Sequence, residues 1–190
     1  MSSLRSIRRV LRKAAVPVVG AALAFSVTVT IATPAAASGS YSGRAYVYGN
    51  GGVNNDFDNE GVVNVATHRY SNVACLWQTI LWAHGYLPSS GIDGVFGDQT
   101  DAATRKFQAD KGLVVDGSAG RNSWTKAGNR IRQHDNQNGW LYVVYDGVTG
   151  SRSPYGSHDF VLQRSPNGNY RFYPPQGGGP YWASYNSRTC

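Results

Sequence analysis

Asp93-Gly94-Val95-Phe96-Gly97 is the stretch of this sequence that predicts most of the fold, and it recurs 23 residues later (116 − 93) as Asp116-Gly117-Ser118-Ala119-Gly120. Each copy is followed by a hydroxyl side chain, Thr100 after the first and Ser123 after the second. An Asp side chain accepts backbone N–H groups in an Asp-Gly turn, and glycine adopts positive φ at no steric cost. Each copy therefore predicts a tight loop that leads into a helix.

Apolar residues recur at helical spacing in three segments around these loops. In the first segment, which Ser71 or Asn72 caps and Gly85 ends, they are Ala74, Trp77 and Leu81, and His84 continues the same face. A second helix is predicted to begin at Asp98 and to stop at Gly112. A third segment shows Trp124, Ala127 or Gly128, and Ile131 at the same spacing. We therefore expect residues 72–131 to form a compact three-helix unit.

The segment Val73 to Trp124 resembles the type-one peptidoglycan-binding domain, a three-helix module found on bacterial cell-wall hydrolases. The matching residues are Trp77-Gln78, Leu81, Gly85-Tyr86, Ile92 to Gly97, Thr100, Ala103, Phe107-Gln108, Gly112-Leu113, Val115-Asp116-Gly117, Gly120 and Trp124. Trp77 departs from the family, which usually has an aliphatic residue there. The resemblance covers about a third of the chain that follows residue 37, and it implies a groove for the glycan or the stem peptide of peptidoglycan.

Most of the matched residues are explained by structure alone. A module this small needs its large apolar side chains for the core, and Asp93 and Asp116 are the turn formers. Ligand contacts are expected among groups on or beside the loops, where exposed polar and aromatic side chains are available. The candidate ligand-binding residues are Tyr86, Asp93, Gly94, Asp98, Gln99, Arg105 and Gln108.

Residues 135–190 carry short β patterns and turn residues in place of helical spacing. Trp140 to Tyr145 predicts a strand, Phe160 to Tyr173 predicts a hairpin, and Tyr181 to Tyr185 adds a further short run. The aromatic side chains of this region either stack on sugar rings or cover the helical unit, and the second interpretation is favoured. The fold class is therefore α+β, a three-helix bundle with a small antiparallel sheet as an accessory region.

The first 37 residues have the three parts of an export signal. Five bases without an acid precede an apolar stretch, and Ala35-Ala36-Ala37 supplies the small residues that a signal peptidase reads. Cleavage is expected before Ser38. The alternative of a membrane anchor is disfavoured by Pro17 and Pro34, and no later apolar run is long enough to cross a bilayer. We expect a secreted, cell-wall-associated monomer.

The net charge of the chain argues against a nucleic-acid partner. The 18 Lys+Arg and 11 Asp+Glu residues give +7, but five of the bases lie in the export signal. The remaining 153 residues carry 13 bases and 11 acids, a charge of +2 (13 − 11). Such a chain lacks the dense basic surface that binds phosphate backbones.

Residues 38–71 are rich in Gly, Asn and Tyr, with one strand-like run, Arg44 to Tyr48. The acidic and glycine residues Asp56, Asp58, Glu60 and Gly61 occupy the first, third, fifth and sixth positions of a calcium loop. The twelfth position is Thr67 where that loop needs a bidentate Glu. A solvated acidic loop is the favoured interpretation, and no metal site or cofactor is predicted.

The two cysteines predict a disulfide, because an exposed free thiol is a liability in a secreted protein. The pair is Cys75 and Cys190, and an intermolecular bridge through Cys190 is the alternative. Neither residue suits a catalytic nucleophile, since Cys75 falls within a predicted helix and Cys190 is the last residue.

Other catalytic patterns are equally weak, so no catalytic residue is predicted. The four histidines, His68, His84, His134 and His158, show no zinc-ligand spacing. Ser157-His158-Asp159 resembles a catalytic triad in spelling only, because a triad is defined by geometry. The sequence thus favours a secreted, non-catalytic peptidoglycan-binding protein. The alternatives are a small cell-wall hydrolase or transpeptidase with its active site in the terminal sheet, and a protein-interaction module that uses the helices as a scaffold.

Overall fold

The computed structural model describes residues 43–148 and 158–190, so the predicted export signal lies outside the described residues. Three helices come first, α1 (Asn72–Ala83), α2 (Asp98–Asp110) and α3 (Arg121–Gly128). Five strands follow: β1 (Ile131–Gln137), β2 (Trp140–Tyr145), β3 (Phe160–Arg164), β4 (Tyr170–Phe172) and β5 (Tyr181–Trp182). The strands form one antiparallel sheet in chain order, which confirms the α+β class. None of the described helices has the length and apolar character needed to cross a membrane.

Helix α1 is the most buried of the three helices. The Ser71 side chain caps it by accepting a hydrogen bond from the Ala74 N–H at 3.0 Å. Gly85 ends it with φ of 75°, a left-handed conformation that suits glycine. Every residue of α1 except Trp82 is buried. A helix that is enclosed on all sides must have neighbours on all sides, and α2 supplies only one of them.

The sheet and the chain terminus supply the others. The Val73 N–H donates to the Ser184 carbonyl oxygen at 3.1 Å, and the Val148 N–H donates to the Ala83 carbonyl oxygen at 2.8 Å. The buried apolar residues of the helices, the sheet and the segment before α1 form a single core. The helices therefore share their core with the sheet, and a self-contained three-helix bundle is not confirmed.

A disulfide joins Cys75, in the first turns of α1, to the terminal Cys190, as the sequence predicts. The two Cα atoms are 6.4 Å apart. Asn72 reinforces the connection, since its side-chain oxygen accepts the N–H groups of Thr189 and Cys190 at 2.8 and 3.1 Å. The terminus is thereby tied to the start of α1.

The third helix is shorter than expected. It ends at Gly128, and Ile131 is the first residue of β1, where it pairs with Tyr145, so the assignment of Ile131 to a helix is wrong. Ile131 is the only buried residue of β1, and a single apolar position fits a strand as well as a helix. Strand β1 was not expected because its other residues are polar. The signal for it was Asn138-Gly139, both at positive φ, which closes a two-residue hairpin to β2.

The remaining β predictions are confirmed. Strands β3 and β4 form the expected hairpin, and β5 adds the short run at Tyr181. The Arg44 to Tyr48 run joins the β region through bridges from Tyr46 to Ser184 and from Tyr48 to Asn169.

Candidate functional site

The first Asp-Gly loop is held by the side-chain amide of Gln78, which projects from α1. Its oxygen accepts the backbone N–H groups of Asp93 and Gly94 at 3.0 and 2.8 Å. Its nitrogen lies 2.8 Å from Asp93 Oδ1 and 3.0 Å from both the Val95 carbonyl oxygen and Thr100 Oγ1. Asp93 Oδ1 also accepts the Val95 N–H at 2.8 Å, which confirms that Asp93 forms the turn.

The second loop repeats this arrangement with Gln108 of α2. Its oxygen accepts the Gly117 N–H at 2.9 Å, and its nitrogen donates to Asp116 Oδ1 at 2.7 Å and to the Ser118 carbonyl oxygen at 2.9 Å. Asp116 Oδ1 accepts the Ser118 N–H at 2.8 Å. The hydroxyls noted in the sequence, Thr100 and Ser123, therefore occupy matching places beside the two glutamine amides.

Two expected ligand contacts are instead buried parts of this framework. Gln108 is only 2% exposed, so the expectation of an exposed side chain is wrong, and its amide is occupied by the loop. Gly94 is also buried, and a Cβ added there would lie 2.9 Å from Arg188 Cγ. Its positive φ of 70° and this close approach explain the glycine.

The other candidates are distributed along α2. Asp98 and Gln99 are exposed at its first turn, next to the exposed Asp93. Arg105 joins α2 to the second loop, because it pairs with Asp101 at 2.8 Å and donates to the Val115 and Asp116 carbonyl oxygens at 3.1 and 3.0 Å.

Tyr86 is separated from the group at the start of α2. Its hydroxyl donates to Asp110 Oδ2 at 2.7 Å, at the last residue of the helix. At about 1.5 Å per residue, the two ends of α2 are roughly 18 Å apart. Tyr86 and the group at Asp98 therefore lie at opposite ends of α2.

The structure adds a segment that sequence reasoning missed, residues 63–70. Val63 pairs with Ala119 of the second loop, and Tyr70 pairs with Val95 of the first. Tyr70 is 61% exposed, the most exposed aromatic side chain among the large hydrophobic residues that the structure describes. Both pairings join residues that are distant in the sequence. The one signal for them in the sequence was Tyr70, an aromatic residue next to Ser71, which caps α1.

Two of the three acidic residues of the calcium-like motif, Asp56 and Glu60, are buried in the core. Asp56 is buried in an ion pair with Arg164 and also accepts the Tyr170 hydroxyl. Glu60 accepts the Tyr48 N–H and the Tyr185 hydroxyl. Burial raises the pKa of the Glu60 carboxyl to about 7, against the lowering effect of these hydrogen bonds. The favoured solvated acidic loop is therefore wrong for Asp56 and Glu60, and the described residues hold no cluster of His, Cys, Asp and Glu fit to bind a metal.

The histidines also have structural partners. His84 Nε2 lies 2.8 Å from the Tyr145 hydroxyl, and burial lowers the pKa of His84 to about 3, with Lys111 and Arg130 adding to the effect. His158 stacks on Trp82, and Asp159 accepts the Gly147 N–H. Ser157 lies outside the described residues.

The aromatic residues of the β region divide between two roles. Tyr145, Tyr170 and Tyr185 are buried in the core, which agrees with the favoured interpretation that they cover the helices. Trp182 is 40% exposed and packs near Trp140 and Tyr46, with the Arg171 guanidinium 4.1 Å from the Trp140 ring centre.

Comparison with known proteins agrees with the helical part of this description. No curated protein and no solved structure matches the chain. A family model described as "Putative peptidoglycan binding domain" matches residues 75–126, which contain both clamped loops. The matched residues overlap the segment, Val73 to Trp124, whose sequence resembles the type-one peptidoglycan-binding domain.

Proposed function

We propose that this chain is a secreted, non-catalytic protein that binds the peptidoglycan of bacterial cell walls through residues 75–126. The observation that carries the proposal is the match of this segment to the peptidoglycan-binding family, together with two loops held rigid by Gln78 and Gln108. Rigid loops present their exposed rims without paying for ordering when a ligand binds.

The ligand surface that we propose lies at the first loop and the start of α2. Asp93, Asp98 and Gln99 are exposed there, and Tyr70 adds an aromatic face beside them. Arg105 extends the surface toward the second loop, and Tyr86 bounds it at the far end of α2. The polar groups fit the amides and hydroxyls of a glycan or stem peptide.

Co-sedimentation with purified insoluble peptidoglycan tests the proposal. The secreted protein should pellet with the sacculi, and Asp98→Ala combined with Gln99→Ala should reduce the pelleted fraction. Lys126→Ala combined with Asn129→Ala is the control, since both residues are exposed at the end of α3. Wild-type protein that stays in the supernatant would contradict the binding proposal.

The same assay addresses catalysis and the strength of charge attraction. No soluble muropeptide should be released; a fall in turbidity would favour the hydrolase alternative. With a charge of +2 after residue 37, attraction to anionic wall polymers is weak and is screened within about 8–10 Å at physiological salt, so retention should survive added salt. Retention on sacculi free of other proteins would also count against a module that acts only through a protein partner.

Export is part of the proposal and has its own test. The intact mass of the secreted protein should correspond to a chain that begins at Ser38. A secreted chain that still begins at Met1 would contradict cleavage.

A further inference from the structure

A polar cleft lies in the β region, outside the family segment. Its walls are the run from Tyr48 to Gly51, the turn from Ser165 to Gly168, and the hairpin of β1 and β2. Its volume is about 490 Å³, within the range of roughly 300–1,000 Å³ that ligand sites occupy. A second cavity of about 240 Å³ shares Tyr48, Gly49 and Asn50 with it. The site thus has the size of a small-ligand pocket.

The cleft has a rigid, charge-compensated wall. Arg164 is 7% exposed and donates to Asp56 Oδ2 and, at 2.7 Å, to the Gly51 carbonyl oxygen. Asp56 in turn accepts the Tyr170 hydroxyl. The guanidinium is therefore held in place, and its charge is offset by a carboxylate on the protein side.

Ser165 provides a second, independent observation. It lines the cleft, is 8% exposed, and its Oγ finds no hydrogen-bond partner among the described residues. A buried hydroxyl without a partner costs roughly 1–3 kcal/mol, and native proteins keep few of them. Rotation of the Ser165 side chain toward the cleft would let a ligand hydroxyl or amide supply that partner.

The other lining groups define the chemistry of the ligand. The side-chain amides of Asn50, Gln133, Asn136 and Asn167 line the cleft, and each offers both donors and an acceptor. Leu141 and Pro166 add a small apolar surface. Arg164 is the only cation among the described lining residues, and it is paired, so an anionic ligand finds no free charge there. The complementary ligand is uncharged, rich in hydroxyls and secondary amides, and has apolar ring faces.

We propose that this cleft is a second binding site, for an N-acetylated saccharide. The inference rests on the proposed function for the source of the saccharide, which would be the glycan strand of peptidoglycan, with chitin as the other source of the same chemistry. The two sites would then engage the wall through separate surfaces of one rigid protein.

Titration of the isotope-labelled secreted protein with the soluble β-1,4-linked tetramer of N-acetylglucosamine tests the site by NMR. We expect saturable shifts of backbone amide signals in residues 48–51 and 165–168. Maltotetraose, which lacks N-acetyl groups, should produce no saturation. Shifts confined to residues 93–123, no shifts at millimolar ligand, or equal binding of maltotetraose would overturn the proposal.

Ser165→Ala is a clean variant because the hydroxyl has no partner to lose, so the free energy of unfolding should not fall. Loss of one hydrogen bond to the ligand should weaken tetramer binding roughly 3- to 10-fold. Ser90→Ala, in the exposed 3-10 turn Ser89–Gly91, is the matched control and should bind as wild type. Equal affinities for the two variants would overturn the role of Ser165 and with it the site.

Sedimentation separates this inference from the proposed function. If the tetramer fails to bind and sacculi still retain the protein, the cleft proposal falls alone. If the tetramer binds in the cleft and sacculi do not retain the protein, the proposed function falls alone. If sacculi retain Ser165→Ala more weakly than Ser90→Ala, the site is supported with peptidoglycan as the source of the saccharide. If Ser165→Ala is retained more weakly than Ser90→Ala on insoluble chitin alone, the site is supported with chitin as the source.

Discussion

Replacing Gln78 by Met should destabilise the protein by about 2–6 kcal/mol. Methionine is close to glutamine in length and shape, so the change removes the amide with little change in packing. Gln78 is 1% exposed and engages four groups of the first loop and the Thr100 hydroxyl of α2. The groups of Asp93 can turn to water because that residue is exposed. The Gly94 N–H and Thr100 Oγ1 are on buried residues and would be left without this partner, at roughly 1–3 kcal/mol each.

The loss is large against the roughly 5–15 kcal/mol of a typical domain. Urea unfolding, followed by tryptophan fluorescence with the disulfide intact, measures it. Gln99→Met is the control, since the same change at an exposed position of α2 should cost less than about 0.5 kcal/mol. Gln108→Met should behave like Gln78→Met, because the Gly117 N–H and Ser123 are buried in the same way. If the free energies of unfolding of Gln78→Met and Gln99→Met differ by less than about 0.5 kcal/mol, the role of the Gln78 amide in holding the loop is refuted.

Three further perturbations test other parts of the structure. Burial raises the pKa of Glu60 from 4.5 to about 7, so the folded state binds the proton more tightly, and the free energy of unfolding should fall by about 3 kcal/mol as pH rises from below 4.5 through 7. Urea unfolding of wild type and of Glu60→Gln at each pH isolates this effect as the difference between their free energies of unfolding. A difference that stays constant with pH would contradict the prediction. The Cys75–Cys190 disulfide encloses 115 residues, so Cys190→Ser should lower the free energy of unfolding by up to about 4–5 kcal/mol, as measured by thermal or urea unfolding. Thiol titration of the unreduced, unfolded wild type should find no thiol. Gly94→Ala should lower the free energy of unfolding by at least about 1 kcal/mol more than Gly112→Ala in the same measurement. Both glycines have positive φ, but of the two only Gly94 has atoms within 4 Å of an added Cβ. Equal losses would show that the Arg188 side chain moves away without cost.

Local signals allowed the loops and most of the secondary structure to be predicted, and the presence of just two cysteines in the sequence allowed the disulfide pairing to be predicted. The Asp-Gly pairs and the hydroxyls at Thr100 and Ser123 act within a few residues of themselves, so their effect is visible in the chain. The end of α3 could not be predicted in the same way. Ile131 fits a helix by spacing, and only its pairing with Tyr145 across the sheet makes it a strand residue.

The equivalence of Gln78 and Gln108 shows the limit of repeat analysis. Gln78 precedes its loop aspartate by 15 residues, whereas Gln108 precedes Asp116 by 8, so no constant shift relates them. Gln108 therefore looked like an exposed ligand contact, and only the structure shows it to be a buried clamp.

The sequence by itself determined the two tight loops and the class of the fold, because these depend on short-range turn chemistry and on periodic apolar positions. The tertiary structure alone decided which polar residues are buried in hydrogen bonds and which are exposed. Asp56 and Glu60 read as a solvated acidic loop along the chain, yet they are buried against Arg164 and Tyr185, which lie more than 100 residues away. The polar cleft likewise exists only because the Tyr48 run packs beside the Ser165 turn. Burial and hydrogen-bond partners depend on residues that are distant in the sequence. They decide whether a polar side chain supports the fold or is exposed at the surface.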